Sequence, residues 1–181
     1  APSRATLLTG KYSHKNGHRD NLTKFDASQP MYPKYLQAAG YQTGWIGKWH
    51  LEATPQYFDY WSVLPGQGAY YNPDFIEMGS KTVRQEGYAT DVITEKALRW
   101  LDQDRDPPKP FCLVIGHKCP HRNWQPDTTD LRAFDRVKFS LPKSFYDSYE
   151  GRIAAKRQDM TVTKTMRLKE DLKADAGNDP F

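Results

Sequence analysis

The sequence predicts an α/β fold with a mostly parallel central sheet, on three observations. Residues 31–39 (MYPKYLQAA) have the make-up of a short helix stopped at Gly40, and residues 41–47 (YQTGWIG) follow at once as a buried strand. Residues 88–104 (YATDVITEKALRWLDQD) space Val92, Ile93, Ala97, Leu98 and Leu101 three and four apart, the signature of one apolar helix face. After the break at DPPKP, residues 111–116 (FCLVIG) form a continuous apolar run, the pattern of a central parallel strand covered on both faces. Strand, helix and strand in that rhythm imply a sheet joined by helical crossovers.

The remaining elements are placed in order. The opening APSRATLLTG reads as a tight loop entering a helix: Pro2 suits the approach, Ser3 is a favoured N-cap, residues 5–8 form helix, and Thr9 with Gly10 end it. A chain that starts inside a turn is expected to be cut at its start. Residues 59–64 and 73–78 are short strands separated by the ordered loop PGQGAYYNP. Beyond His117, residues 127–143 are polar and irregular, 149–171 are charged and weakly helical, and 174–181 are loop-like. The expectation is one partial domain over residues 1–181, with 127–181 weakly structured or peripheral.

Composition narrows the function. The 181 residues are 38% apolar, a thin core for one domain's length. The net charge of +4 is spread without a block of like charges, which argues against a nucleic-acid partner. No apolar stretch reaches the roughly 18 residues of a membrane span, and the sequence contains no signal-peptide pattern. Cys112 and Cys119 make neither a disulfide framework nor a zinc spacing, so they leave the redox compartment open.

Three stretches concentrate cations just beyond strand ends or at a helix start, where an α/β sheet places its ligands. They are Ser3-Arg4, the GKWHL of residues 47–51 after a strand ending at Ile46, and the HKCPHR of residues 117–122 after a strand ending at Ile115. Singly each has an ordinary reading: a surface Arg4, a strand edge with a packed Trp49, a histidine pair in a proline turn whose Pro120 spoils helical metal spacing. Together they point to a site that handles an anion, with lysines as fixed charges and histidines as titratable groups.

The same residues resemble the sulfatase family. APSRATLLTG is similar to the motif C/S-x-P-S-R-x-x-L-L-T-G without its first residue, GKWHL resembles a second sulfatase motif, and the PH of HKCPHRNWQP a third. The likeness runs on through GKYSHKNG, the DN of HRDN, MYPKYLQAAGYQT, FDYW and LPGQGAYYNPDF, and is strongest towards bacterial N-acetylglucosamine-6-sulfatases and heparan or mucin desulfating enzymes.

That resemblance implies a partial alkaline-phosphatase-like domain and a catalytic formylglycine one position before Ala1, whose hydrated aldehyde attacks sulfur. It implies that Arg4 holds the formylglycine hydroxyl, that Lys48 bridges it to the sulfate, and that His50 takes a proton in the elimination step. His121 would bind sulfate and protonate the leaving oxygen. Lys118 and His117 would line the substrate pocket, a structural turn role for His117 being equally open, and Trp124 and the PGQGAYYNP loop would contact sugar or simply pack. Calcium is expected in the whole enzyme on acidic ligands outside this chain, so no metal ligand is assigned here.

The implied activity is hydrolysis of a sulfuric ester: removal of 6-O-sulfate from N-acetylglucosamine or glucosamine in glycosaminoglycan or mucin glycans, with the isolated piece inactive. The implied partners are a sulfated carbohydrate and a formylglycine-generating or anaerobic sulfatase-maturating enzyme, in the periplasm or outside the cell. Two rivals stay open: a phospho- or sulfo-hydrolase of the same fold with another substrate, and a catalytically inactive glycan-binding relative.

Overall fold

The structure, a computed structural model, describes residues 1–159, 164–167 and 169–171. The chain divides into two compact units, Ala1–Pro120 and a second that starts at His121.

In the first unit α1 (Pro2–Thr9), α2 (Ser13–Asn16) and α3 (Tyr32–Ala38) precede the sheet. The strands are β1 (Gln42–Lys48), β2 (Tyr60–Leu64), β3 (Asp74–Glu77), β4 (Thr82–Arg84) and β5 (Phe111–Gly116), with α4 (Ala89–Arg99) before the last. Their order is β4-β3-β2-β1-β5. β1 runs parallel to both neighbours, with Trp45 opposite Trp61 and Val114. β3 and β4 add an antiparallel edge, with Val63 opposite Ile76 and Phe75 opposite Val83. The sheet is therefore mixed, its parallel part being β2, β1 and β5.

The period-2 alternation of β1 sorts its side chains into two cores. Trp45 packs with Ala5 and Leu8 of α1 and with Met31, Trp49, Phe58, Trp61 and Val63. Ile46 packs on the opposite face with Leu64, Phe75, Val92, Ile93, Ala97 and Trp100. Each large apolar side chain buried this way contributes about 1.5–3 kcal/mol. Asp59 ties the start of β1 to α3: its carboxylate accepts from Thr43 N at 2.7 Å and from Gln37 Nε2 at 3.0 Å.

Several expectations are corrected. Ser3 is not the N-cap: α1 begins at Pro2 with Ala1 as cap and no side-chain capping bond, because a proline's fixed φ suits the first helical position. The C-terminal end is as read, Gly10 capping at φ 65. The helix foreseen over 88–104 is α-helical only to Arg99 and widens into a π turn over Trp100–Asp104. β4 was not foreseen; at three residues, two of them polar, it carries no periodicity. β5 is not covered on both faces: among the described residues it is the sheet edge, with Phe111 and Ile115 each 43% exposed. β1 also runs past Ile46, and β5 past Ile115, by two residues and one respectively.

Those extra residues hold a close approach. Gly47 sits at φ +98, and a Cβ there would lie 2.1 Å from the Gly116 carbonyl oxygen and 3.2 Å from Ile93 Cδ1. A Cβ on Gly116 would lie 2.7 Å from the Lys48 carbonyl oxygen. Only glycines let the two backbones meet here, and Lys48 is the residue this seam positions.

Among its described residues the second unit contains turns and one short helix, α5 (Ile153–Arg157). Arg122 pairs with the enclosed Asp171 through both guanidinium Nε and Nη2, which holds the Asp171 carboxyl down at about 2. The loop-like end over 174–181 lies outside the described residues.

Candidate active site at the end of β1

The KWH tripeptide leaves the sheet around an anchored ring. Trp49 is buried, stands edge-on to Trp45 with centroids 5.0 Å apart, and donates Nε1–H to the Ala53 carbonyl at 2.6 Å. With that ring in the core, Lys48 and His50 on either side are delivered together at the strand's C-terminal end. The packed Trp and the functional reading of KWH are thus one arrangement.

Lys48 is 4% exposed, and its Nζ donates to Gln67 Oε1 at 2.5 Å. Gln67 Nε2 stands 3.4 Å from His50 Nε2, and Lys118 Nζ donates to the Gln67 carbonyl at 3.2 Å while lying 4.6 Å above the Tyr70 ring. Lys48 and His50 from the end of β1 therefore meet the side-chain amide of Gln67 in the loop after β2, and Lys118 from beyond β5 meets its main-chain carbonyl.

The electrostatics bring Arg4 into the same group. Burial, then the charges of Arg4 and Lys118, pushes the Lys48 ammonium down to about 8. Burial, then Lys48, the Ala1 amine and Arg4, lowers the His50 imidazole against the opposing pull of Glu52. Burial also lowers Arg4 and Lys118. Cations held close together in this way form a site that an oxyanion completes.

The sign of the pH dependence follows. Below about pH 8 Lys48 carries its charge, and as pH rises through that value the charge and its hold on an anion are lost. Affinity for inorganic sulfate is expected to fall by up to about tenfold per pH unit above 8, measured by titration calorimetry from pH 7 to 10. His50, lowered from its ordinary value, stays neutral across the same range and is available as a proton acceptor.

Of the residues expected from sequence, Arg4, Lys48, His50 and Lys118 come together in the first unit. His117 is exposed and lies outside their hydrogen-bond network. His121 and Trp124 belong to the second unit. There His121 Nδ1 stands 2.7 Å from the Arg122 carbonyl, an acceptor to which Nδ1–H donates, and Trp124 is 40% exposed with its main-chain N–H donating to the His121 carbonyl at 3.1 Å. Gln67 was missed as an individual residue; its only signal was its place in the glycine-flanked PGQG turn.

The implied groups meet different fates. Among the described residues no three His, Cys, Asp or Glu side chains gather as a metal site; calcium needs a set of oxygen ligands, and it is expected on acidic residues other than these. The position before Ala1 does fit an oxygen-bearing formylglycine. The Ala1 amine is lowered by burial, then by Arg4 and Lys48, so a residue joined to that nitrogen stands among the same cations. The same amine donates to Asn21 Oδ1 at 2.9 Å, which puts the DN segment beside it.

The sulfatase family profile matches residues 1–155. The chain belongs to the sulfatase family. It is 51% identical to the N-acetylglucosamine-6-O-sulfatase of Bacteroides thetaiotaomicron, covering 95% of this chain and 31% of that protein. It is 29% identical to the N-acetylglucosamine-6-sulfatase of Homo sapiens, covering 80% of this chain and 30% of the relative. The fold superposes with a TM-score of 0.85 on the structure of BT4656 in complex with its substrate D-glucosamine-2-N,6-O-disulfate, at 51% identity over 95% of this chain and 35% of that one. This sulfatase chain thus spans about a third of the length of these relatives, and its α/β sheet is part of the alkaline-phosphatase-like fold of the family. No described helix is long and apolar enough to cross a membrane.

Proposed function

We propose that this chain is the part of a sulfuric ester hydrolase that holds the sulfate, and that the whole protein removes 6-O-sulfate from N-acetylglucosamine or glucosamine units of glycosaminoglycan or mucin glycans. The observation that carries the reading is the convergence of Arg4, Lys48 and Lys118 with a neutral His50 at the end of β1, in a chain half identical to an N-acetylglucosamine-6-O-sulfatase.

A formylglycine preceding Ala1 supplies the oxygen nucleophile. The work of this chain's residues is electrostatic and protolytic. Arg4, at the start of α1, fixes that oxygen. Lys48 places a desolvated positive charge between nucleophile and sulfate, where negative charge accumulates as the S–O bond to the sugar breaks. His50 takes a proton at Nε2 when the aldehyde is regenerated, a role suited to an imidazole that is neutral at ordinary pH. Lys118 adds charge behind Lys48. His121 binds a sulfate oxygen and gives a proton to the departing sugar oxygen, while His117 and Trp124 line the sugar side.

The partners that follow are the sulfated glycan and a formylglycine-generating or anaerobic maturating enzyme. Because such glycans are large polyanions that do not diffuse through a bilayer, we place the protein in the periplasm or outside the cell. The test is desulfation by the full-length protein of 6-sulfated N-acetylglucosamine against its 3-sulfated isomer. Release of sulfate from the 6-isomer is the expected result. Preference for the 3-isomer overturns the substrate, and binding without release of sulfate from either favours an inactive glycan-binding protein.

A further inference from the structure

We infer that Gln67 is a positioning residue that sets the tautomer of His50, keeping its Nε2 unprotonated through the ammonium of Lys48. The inference rests on the proposed sulfatase site and adds a residue and a coupling to it.

The argument is one of donors and acceptors. A lysine ammonium carries only donors, so the Gln67 atom 2.5 Å from Lys48 Nζ has to be the amide oxygen. The amide nitrogen then necessarily faces the other way, where His50 Nε2 lies at 3.4 Å. An amide NH2 only donates, so the histidine nitrogen it faces has to present a lone pair, and the ring proton is left on Nδ1. The charge of one residue thereby selects the protonation pattern of another that it does not touch.

The loop is built to hold this orientation. Gly68 N donates to the Pro65 carbonyl at 2.9 Å, closing a turn in which Gly66 and Gly68 take φ of 50 and 69. A Cβ on Gly68 would lie 2.7 Å from Leu64 Cδ1, and Leu64 is itself buried, so the turn is seated against the core. The Gln67 carbonyl is further pinned by Lys118 at 3.2 Å. Backbone carbonyl and side-chain oxygen are thus each held by a lysine, Lys118 and Lys48 respectively.

Other charges also act on the pair. His50 feels Lys48 and Arg4 against it and Glu52 in its favour, and Lys48 feels Arg4 and Lys118. None of these hydrogen-bonds the His50 ring, which meets only the Gln67 amide among the described residues, so they shift its proton affinity without choosing which nitrogen carries the proton.

The experiment uses the full-length protein with 15N-labelled histidine, reading the His50 ring nitrogens by NMR across pH with His50→Asn for assignment, alongside the pH profile of kcat/KM. In the parent the neutral ring is expected to be the Nδ1–H form. Gln67→Glu replaces the donor by an acceptor that favours imidazolium, and is expected to raise both the ring titration and the acid limb of kcat/KM by about one pH unit. Gln67→Met, of similar volume and with neither donor nor acceptor of that strength, is expected to shift the neutral ring towards Nε2–H and to lower kcat/KM about tenfold. A His50 tautomer and titration unchanged in both variants overturn the inference. Movement of the ring signals in a protein that releases no sulfate upholds the coupling and removes the hydrolase reading instead.

Discussion

Lys48→Ala in the full-length protein is expected to lower kcat/KM for a 6-sulfated amino sugar by roughly 10²–10³-fold, the scale on which one fixed electrostatic contact to a transition state acts. The loss should appear without loss of fold. Lys48 is almost fully buried, and its ammonium is pushed down to about 8 by burial and by Arg4 and Lys118. Because the folded-state value lies below the unfolded one, keeping the charge costs the fold stability below pH 8, and that cost fades as pH rises from about 8 towards the ordinary lysine value. Removing the side chain relieves it, so the thermal midpoint near neutrality is expected to stay level or rise. Stabilisation at the expense of turnover is the mark of a group kept for chemistry. Unchanged turnover, or activity lost together with the fold, would count against the role given to Lys48.

Gly47→Ala is expected to destabilise the protein by about 3 kcal/mol or more, from backbone strain and overpacking together. The new methyl would stand 2.1 Å from the Gly116 carbonyl oxygen at a φ of +98, and the atom it meets is main chain of the hydrogen-bonded β1–β5 pair rather than the end of a flexible side chain. Gly10→Ala is the control: φ is also positive, at +65, but nothing lies within 4 Å of the added carbon, so a cost of about 1 kcal/mol is expected. Urea midpoints of the two variants in the full-length protein separate strain alone from strain with collision. Equal effects would mean that the β1–β5 seam yields, and that Lys48 is not positioned by it.

Much of this arrangement is legible in the residues themselves. The buried strand after Gly40 and the apolar run after DPPKP announce β1 and β5 because burial on a sheet needs only local pattern, and α4 announces itself by its spacing. Arg4, Lys48, His50 and Lys118 are legible because short motifs keep them next to strand ends or a helix start. What the pattern withholds is whatever depends on distant segments meeting. Nothing in PGQG says that its glutamine will face a lysine nineteen residues earlier, and nothing in FCLVIG says which of its sides will have neighbours. Ser3 failed as a cap for a simpler reason: proline one position earlier already starts the helix.

The bare rim of β5 has a practical corollary. A row of main-chain amides and carbonyls with no ladder partner among the described residues, flanked by the half-exposed rings and branches of Phe111 and Ile115, is a template on which a second polypeptide can stack. Cut out and expressed by itself, this stretch would tend to clump through that rim, and its anion chemistry is therefore best followed inside the longer polypeptide.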